Sequence, residues 1–116
     1  MIKDITQNKI ITKNYKICNS IASKAIGLMF TLKFKNSLIF TFNKLQKVPL
    51  HNFFVFFPID VLYLDENKKI IEMKENFRPF TFFNPKKKAK YVLEIRNNTI
   101  SDKDISIGNI LEFKEK

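Results

Sequence analysis

The chain has 116 residues and a mass of 13.8 kDa, a size typical of one domain, because independent domains commonly span roughly 100 to 200 residues. Hydrophobic residues make up 45% of the sequence, enough for a core, and 21 basic against 11 acidic residues give a net charge of +10. The two glycines lie too far apart for a phosphate-binding loop or a dinucleotide fingerprint, and the single Cys18 and single His51 exclude an internal disulfide and a standard zinc site within one chain.

The first third of the chain predicts strands followed by a helix. Residues 10–17 are rich in β-branched side chains that alternate, which is typical of a strand or a strand pair. From Ser20 the apolar residues recur at helical spacing as far as Met29, and the Ser20 hydroxyl can cap the first turn. The sequence therefore predicts one short helix near residues 20–29.

The middle of the chain predicts two strands and a hairpin. Residues 38–42 alternate as in a strand, and residues 48–57 carry aromatic side chains on both faces, which favours a central strand buried on both sides. Pro58 predicts a bend or an edge, because proline lacks the amide that a central strand donates. Residues 61–64 and 69–74 are joined by Asp65-Glu66-Asn67-Lys68, a polar connection that predicts a hairpin.

The last third predicts short elements. Residues 77–83 contain Pro79 and favour an irregular or edge segment, residues 91–95 favour a strand, residues 101–104 favour a turn with a short helix, and residues 110–113 favour a final strand. We expect a mostly β (α+β) fold, a single antiparallel sandwich-like or barrel-like domain over residues 1–116 with its one convincing helix near residues 20–29.

Two polar residues flank the most apolar run of the sequence. His51 precedes it and Asp60 follows it, and such a pair can act as an acid/base or ligand pair, because imidazole titrates near neutrality and a carboxylate can fix its tautomer. The alternative is structural, with the histidine bonded to a backbone carbonyl and the aspartate capping the bend after Pro58. From spacing alone the structural alternative is favoured.

A basic and aromatic segment follows. Arg78 lies among phenylalanines in residues 77–83, and Lys86, Lys87, Lys88 and Lys90 come directly after it. This mixture resembles a surface for single-stranded nucleic acid, where bases stack on rings and lysines neutralise phosphates. A solvated loop with core phenylalanines is the commoner arrangement. The abundant Lys, Ile, Asn and Phe also share A/T-rich codons, so base composition is an alternative to an anionic partner as the source of the net charge.

Four segments carry a resemblance to a known family. They are, in order, Gly27-Leu28-Met29, HNFFVFFPIDVLYLD from His51 to Asp65, AKYVLEI from Ala89 to Ile95, and IGNILEF from Ile107 to Phe113. Their order and spacing are similar to those of uncharacterised protein family 0127, also called domain of unknown function 192, over nearly the whole chain.

The resemblance implies a small, mostly β, sandwich-like domain with one helix, and no established activity. In one branch of the family a histidine and a Pro-Ile/Leu-Asp step recur, and they fall on His51 and on Pro58 to Asp60. The pair therefore becomes a candidate ligand site, together with Asn52 and Met29. The chain departs from that branch at three positions that usually hold threonine, methionine and a basic residue; here they are Asn52, Val55 and Phe56. It also has Gly108-Asn109 where the family tends to end in Gly-Asp.

The sequence favours a non-catalytic binding module for a small ligand or a peptide, with a pocket near His51 and Asp60. The alternative is binding of nucleic acid or another polyanion through Arg78 and Lys86–Lys90; a small hydrolase with His51 as base is the least supported. We expect no cofactor and no metal. We also expect no membrane partner, because the longest uncharged stretch, residues 48–59, is shorter than the roughly 20 residues of a spanning helix. A lone cysteine and the absence of a signal segment predict a cytoplasmic protein, and its oligomeric state stays open.

Overall fold

The computed structural model describes residues 1–19, 34, 36–51 and 56–115. The strands in chain order are β1 (Ile2–Asp4), β2 (Lys9–Thr12), β3 (Tyr15–Cys18), β4 (Ser37–Gln46), β5 (Leu50–His51), β6 (Ile59–Leu64), β7 (Ile70–Phe77), β8 (Phe82–Phe83), β9 (Ala89–Arg96) and β10 (Leu111–Glu112). A four-residue helix, α1 (Thr99–Asp102), lies between β9 and β10. The helix predicted near residues 20–29 lies outside the described residues.

A five-stranded sheet in the order β3-β4-β9-β6-β7 forms the centre of the fold. The β3–β4 pair is parallel and the other pairs are antiparallel. Two small sheets accompany it, β10-β1-β2 and β5-β8. Within the described residues the central sheet ends at β3 and β7 without pairing them to each other, so the prediction of a mostly β, sandwich-like fold is confirmed and a closed barrel is not formed.

The first face of the central sheet carries the larger apolar cluster. Side chains alternate along a strand, so Leu62 and Leu64 of β6 lie on the same face as Leu93 and Ile95 of β9. Residues from the β10-β1-β2 sheet and Ile100 of α1 belong to the same cluster. Each fully buried Leu or Ile contributes roughly 1.5 to 3 kcal/mol, so this face holds the small sheet and α1 in place.

The second face carries the intervening residues of the same strands. Ile59, Val61 and Tyr63 of β6 cluster there with Leu38 of β4 and other buried residues, and the β5-β8 ribbon packs against them through Leu50 and Phe83. All six residues of β6 are buried because both faces are covered.

The predicted hairpin is confirmed, and its turn has a specific cause. β6 pairs antiparallel with β7, and Oδ1 of Asp65 accepts the backbone amides of Asn67 and Lys69, each at 2.9 Å. Lys68 takes a φ of 61°, and its amide donates to the Asp65 carbonyl. An aspartate that bonds the amides after it closes a turn in this way.

The prediction of a central strand over residues 48–57 is wrong where the structure describes that segment. Only Leu50 and His51 form a strand, which pairs with β8 alone, while Val48, Pro49, Phe56 and Phe57 are not in a strand. Pro49 has no amide to donate, and Phe56 is 50% exposed, which a strand covered on both faces would not allow. The strands buried on both faces are β6 and β9.

The other predicted elements are present with shifted ends. Residues 10–17 form the separate strands β2 and β3, residues 38–42 lie in β4, and residues 91–95 lie in β9. The expected edge segment contains the two-residue strand β8. No helix in the described part of the chain is long and apolar enough to span a membrane.

Candidate functional site

Asp60 is a buried carboxylate that joins three elements. It is 1% exposed, its Oδ1 accepts the backbone amide of Asn76 at 3.0 Å, and its Oδ2 accepts the backbone amide of Ile100 at 3.0 Å. Asn76 is near the end of β7 with a φ of 50°, and Ile100 is in α1. Asp60 therefore ties β6 to the end of β7 and to α1, rather than capping the bend after Pro58.

His51 lies elsewhere in the fold. It is exposed on β5 and pairs across the ribbon with Phe82 of β8. The ribbon packs on the second face of the central sheet, whereas the Asp60 side chain bonds α1 on the first face. The structure thus brings His51 next to Phe82 and places Asp60 on the opposite face. Asn52 and Met29 lie outside the described residues.

Exposed aromatic and basic side chains accompany the His51–Phe82 pair. Phe82 lines a cavity with Arg78, and Phe80, in the loop before Phe82, contacts Phe56. We call His51, Phe56, Arg78, Phe80 and Phe82 the aromatic–basic surface. The three rings are 50%, 53% and 70% exposed in that order, and Phe56 and Phe80 meet edge to face with ring centroids 5.9 Å apart. Large apolar side chains grouped at the surface are typical of contact sites.

The loop before β8, which carries part of this surface, has an uncommon backbone conformation. Phe80 has a φ of 60°, a region that bulky residues rarely adopt at a cost of roughly 1 to 3 kcal/mol, and the Thr81 hydroxyl donates to the Arg78 carbonyl at 2.6 Å. A cavity of about 290 Å³ opens beside the loop, lined by Lys74, Arg78, Thr81, Phe82 and two neighbours in β7. Strain of this kind is concentrated at binding and catalytic sites.

The predicted lysine segment has a fixed backbone. Glu72 of β7 accepts the amide of Lys86 at 3.0 and 3.1 Å and the amide of Lys87 at 2.9 Å. Lys86, Lys87 and Lys88 are exposed, while the Lys90 ammonium donates to the Phe42 carbonyl. Three of the four lysines therefore present their charge to solvent from an anchored chain.

Glu94 is a buried acid that the sequence reasoning missed. It lies in β9 between Leu38 and Val61 on the second face, is 9% exposed, and burial raises its pKa to about 7. Burial, followed by the charges of Glu72 and Glu94, also raises the pKa of Tyr63 above its ordinary value. The sequence feature that could have identified Glu94 is its position as a lone carboxylate within the apolar run Tyr91–Ile95.

A second cavity, of about 340 Å³, lies at the end of the central sheet. The β2–β3 turn, the start of β4, the end of β9 and α1 form its walls, which include Lys13, Arg96, Asp102 and Lys103. Within the described ranges no three His, Cys, Asp or Glu side chains are grouped so that they could hold a metal ion.

Comparison with known proteins places the chain in one family. The model of domain of unknown function 192, described as "Uncharacterized ACR", matches residues 3–113. A UPF0127 protein of Thermococcus sibiricus is 28% identical over 98% of this chain and 75% of its own length. A UPF0127 protein of Pyrococcus furiosus is 28% identical over 95% of each chain.

Two solved structures share the fold. One, from Sinorhizobium meliloti and described as a "putative transcription regulator", has a TM-score of 0.79 and 22% identity, covering 84% of this chain and 79% of that one. Another, a protein of unknown function from Novosphingobium aromaticivorans, has a TM-score of 0.79 and 20% identity, covering 85% of this chain and 74% of that one. The chain belongs to the uncharacterised UPF0127 family, defined by domain of unknown function 192.

Proposed function

We propose that this domain is a non-catalytic binding module and that its site is the aromatic–basic surface. The observation that carries the proposal is the pairing of His51 with Phe82, both exposed, beside the cavity that Arg78 lines. Residues directly opposite in an antiparallel pair have Cβ atoms roughly 4.5 to 5.5 Å apart, so one ligand can contact both side chains.

The chemistry of the surface favours a small molecule that has an apolar or aromatic part and an anionic group. Rings offer stacking or edge contacts to the apolar part, and the Arg78 guanidinium offers a fork of donors to a carboxylate or phosphate. A peptide segment with the same two features would make the same contacts. In this proposal Asp60 is a positioning residue, because it holds the end of β7 from which Arg78 follows.

A hydrolase with His51 as base receives no support from Asp60. Both oxygens of that carboxylate accept backbone amides, on the face of the central sheet opposite to the β5-β8 ribbon. Asp60 therefore does not orient the imidazole, and the aspartate-histidine arrangement of hydrolytic triads is not formed by these two residues.

A fluorescence titration with anilinonaphthalene sulfonate tests the proposal, because this probe combines aromatic rings with an anionic sulfonate. We expect saturable binding that weakens about tenfold in Phe82→Ser, since a stacked ring contributes roughly 1 to 3 kcal/mol. Ile107→Ser is the matched control, because Ile107 is 62% exposed and outside this surface. Equal affinities of the two variants, or no saturable binding by the wild-type protein, would overturn the proposal.

The second candidate function is binding of single-stranded nucleic acid through Arg78 and Lys86–Lys90. Support comes from the anchored backbone and exposed charges of Lys86, Lys87 and Lys88, although Lys90 is held by the Phe42 carbonyl. The Sinorhizobium structure is described as a "putative transcription regulator", which would fit nucleic-acid binding. At 22% identity, however, the likeness supports a shared fold only.

Salt dependence separates this candidate from the first. Binding of an oligothymidine should weaken steeply as salt rises, because contacts to phosphates release counterions. Lys87→Glu should weaken it further, whereas Lys114→Glu, an equal charge change at an exposed position, should not. Absence of binding at low salt excludes the candidate. A cytoplasmic location remains a prediction in both cases.

A further inference from the structure

The cavity of about 340 Å³ at the end of the central sheet has the composition of an anion site. We propose that it binds the phosphate or carboxylate group of a small molecule. Its volume is at the lower end of the range of small-molecule pockets, roughly 300 to 1,000 Å³. It does not share a lining residue with the aromatic–basic surface, so this second site stands independently of the proposed function.

Among the described residues, three cationic side chains line the cavity. Lys13 comes from the β2–β3 turn, Arg96 from the end of β9 and Lys103 from the end of α1. Within the part of the chain that the structure describes, none of the three forms an ion pair with an acidic side chain. Their charges are therefore available to an anion. An anion that contacts several cations is bound more tightly than an anion that contacts a single surface lysine.

Arg96 is oriented by an aromatic ring. Its guanidinium carbon lies 5.0 Å from the centroid of the Phe34 ring, and both residues line the cavity. A guanidinium placed over a ring is attracted to the ring face without using its N–H donors as hydrogen bonds, so these donors stay available to two oxygens of a phosphate or carboxylate. The ring contact thus favours binding of an oxyanion by Arg96.

A buried hydroxyl adds a neutral donor. Ser37 is 2% exposed, lines the cavity, and forms no side-chain hydrogen bond with any residue of the described ranges. The Thr12 and Thr99 hydroxyls, also in the lining, instead donate to the carbonyls of Asn14 and Arg96 at 3.2 and 2.6 Å. Ser37 is therefore a hydroxyl of the lining that can donate to a bound oxyanion.

The rest of the lining fits the organic part of the ligand. Ile11, Ile95 and Phe34 supply an apolar surface beside the cations. Asp102 is the one carboxylate among the described lining residues, and it would oppose an anion. The ligand therefore combines an oxyanion with an apolar group, and removal of the Asp102 charge should tighten its binding.

Titrations with inorganic phosphate, phenyl phosphate and benzoate at low ionic strength test the site by amide NMR shifts and calorimetry. We expect saturable shifts at Asn14, Ser37 and Thr99, and tighter binding of an aromatic anion than of inorganic phosphate. Lys13→Gln and Arg96→Gln should each weaken binding about tenfold, the value of one charge-assisted hydrogen bond, and Asp102→Asn should strengthen it. Preference between phenyl phosphate and benzoate identifies the oxyanion.

Two controls make the test specific. Lys87→Gln removes the same charge as Lys13→Gln, but at an exposed position outside the cavity. Phe82→Ser should leave this binding unchanged. Absence of saturable binding by all three probes, or equal weakening in Lys87→Gln and Lys13→Gln, would overturn the proposal.

Discussion

Oδ2 of Asp60 accepts the backbone amide of Ile100 at 3.0 Å, across 40 residues of sequence. The other oxygen accepts the amide of Asn76. One buried carboxylate therefore fixes both the start of α1, which borders the sheet-end cavity, and the end of β7, which leads to Arg78. Both proposed binding sites depend on an aspartate that itself lies in the core.

Asp60→Asn tests this positioning role. An asparagine has one acceptor oxygen and an NH₂ group, so one of the two backbone amides would face a donor instead of an acceptor. We expect the free energy of unfolding to fall by about 1 to 3 kcal/mol, measured by urea denaturation. Glu66→Gln, an exposed position in the β6–β7 turn, is the control. A loss within about 0.5 kcal/mol of that control would contradict the role.

Glu94 makes stability depend on pH. Its pKa is about 7 in the folded protein against an ordinary 4.5, so the folded state keeps a proton that the unfolded state releases between these values. The stabilisation from this proton is complete below pH 4.5 and is lost as the pH rises through 7. The free energy of unfolding falls by about 3 kcal/mol over this range.

Glu94→Gln should remove that dependence. Relative to the wild-type protein, the variant should gain about 2 to 3 kcal/mol of stability between about pH 5 and about pH 8, as measured by urea denaturation at each pH. Glu75→Gln removes an exposed carboxylate of the neighbouring strand β7 and should show no such gain. If the free energies of unfolding of Glu94→Gln and wild type differed by the same amount at every pH in this range, the raised pKa of Glu94 would be contradicted.

Asn109 is bonded to a buried carboxylate. Its Nδ2 donates to Oδ2 of Asp4 at 2.9 Å, and Asp4 is fully buried, with Gln7 as a further donor. Asn109→Asp would place two carboxylates in contact, so we expect a loss of about 2 kcal/mol or more at neutral pH. The loss should shrink as the pH falls, because the two carboxylates can then share one proton. Asn43→Asp, on the exposed part of β4, is the control, and equal losses would contradict the explanation.

The fold was predictable where short-range chemistry decides it. The alternation in residues 38–42 and the Asp65 turn act within a few residues, and both elements are present. The strand predicted over residues 48–57 is wrong in the described part of that segment, because aromatic composition alone does not distinguish a buried strand from a surface segment. The apolarity of the segment matches that of β6 and β9, but Phe56 lies at the surface, and only tertiary packing determines that.

The candidate site was less predictable, because its contacts are long-range. His51 and Asp60 are close in sequence, yet strand alternation and the ribbon place them on opposite faces of the central sheet. Register with β8, which no local pattern encodes, makes Phe82 the neighbour of His51. Arg78 was singled out from the sequence, but its place in one cavity lining with Phe82 follows only from the folded loop.

The central claim is that the aromatic–basic surface binds a molecule that has both an apolar part and an anionic group. Amide proton–nitrogen NMR spectra of the wild-type protein, recorded as anilinonaphthalene sulfonate is added, test it most directly. We predict that saturable shifts cluster at residues 50–51 and 80–83. Shifts that cluster at residues 12–14 and 99–103 instead, or shifts that do not saturate anywhere, would contradict it.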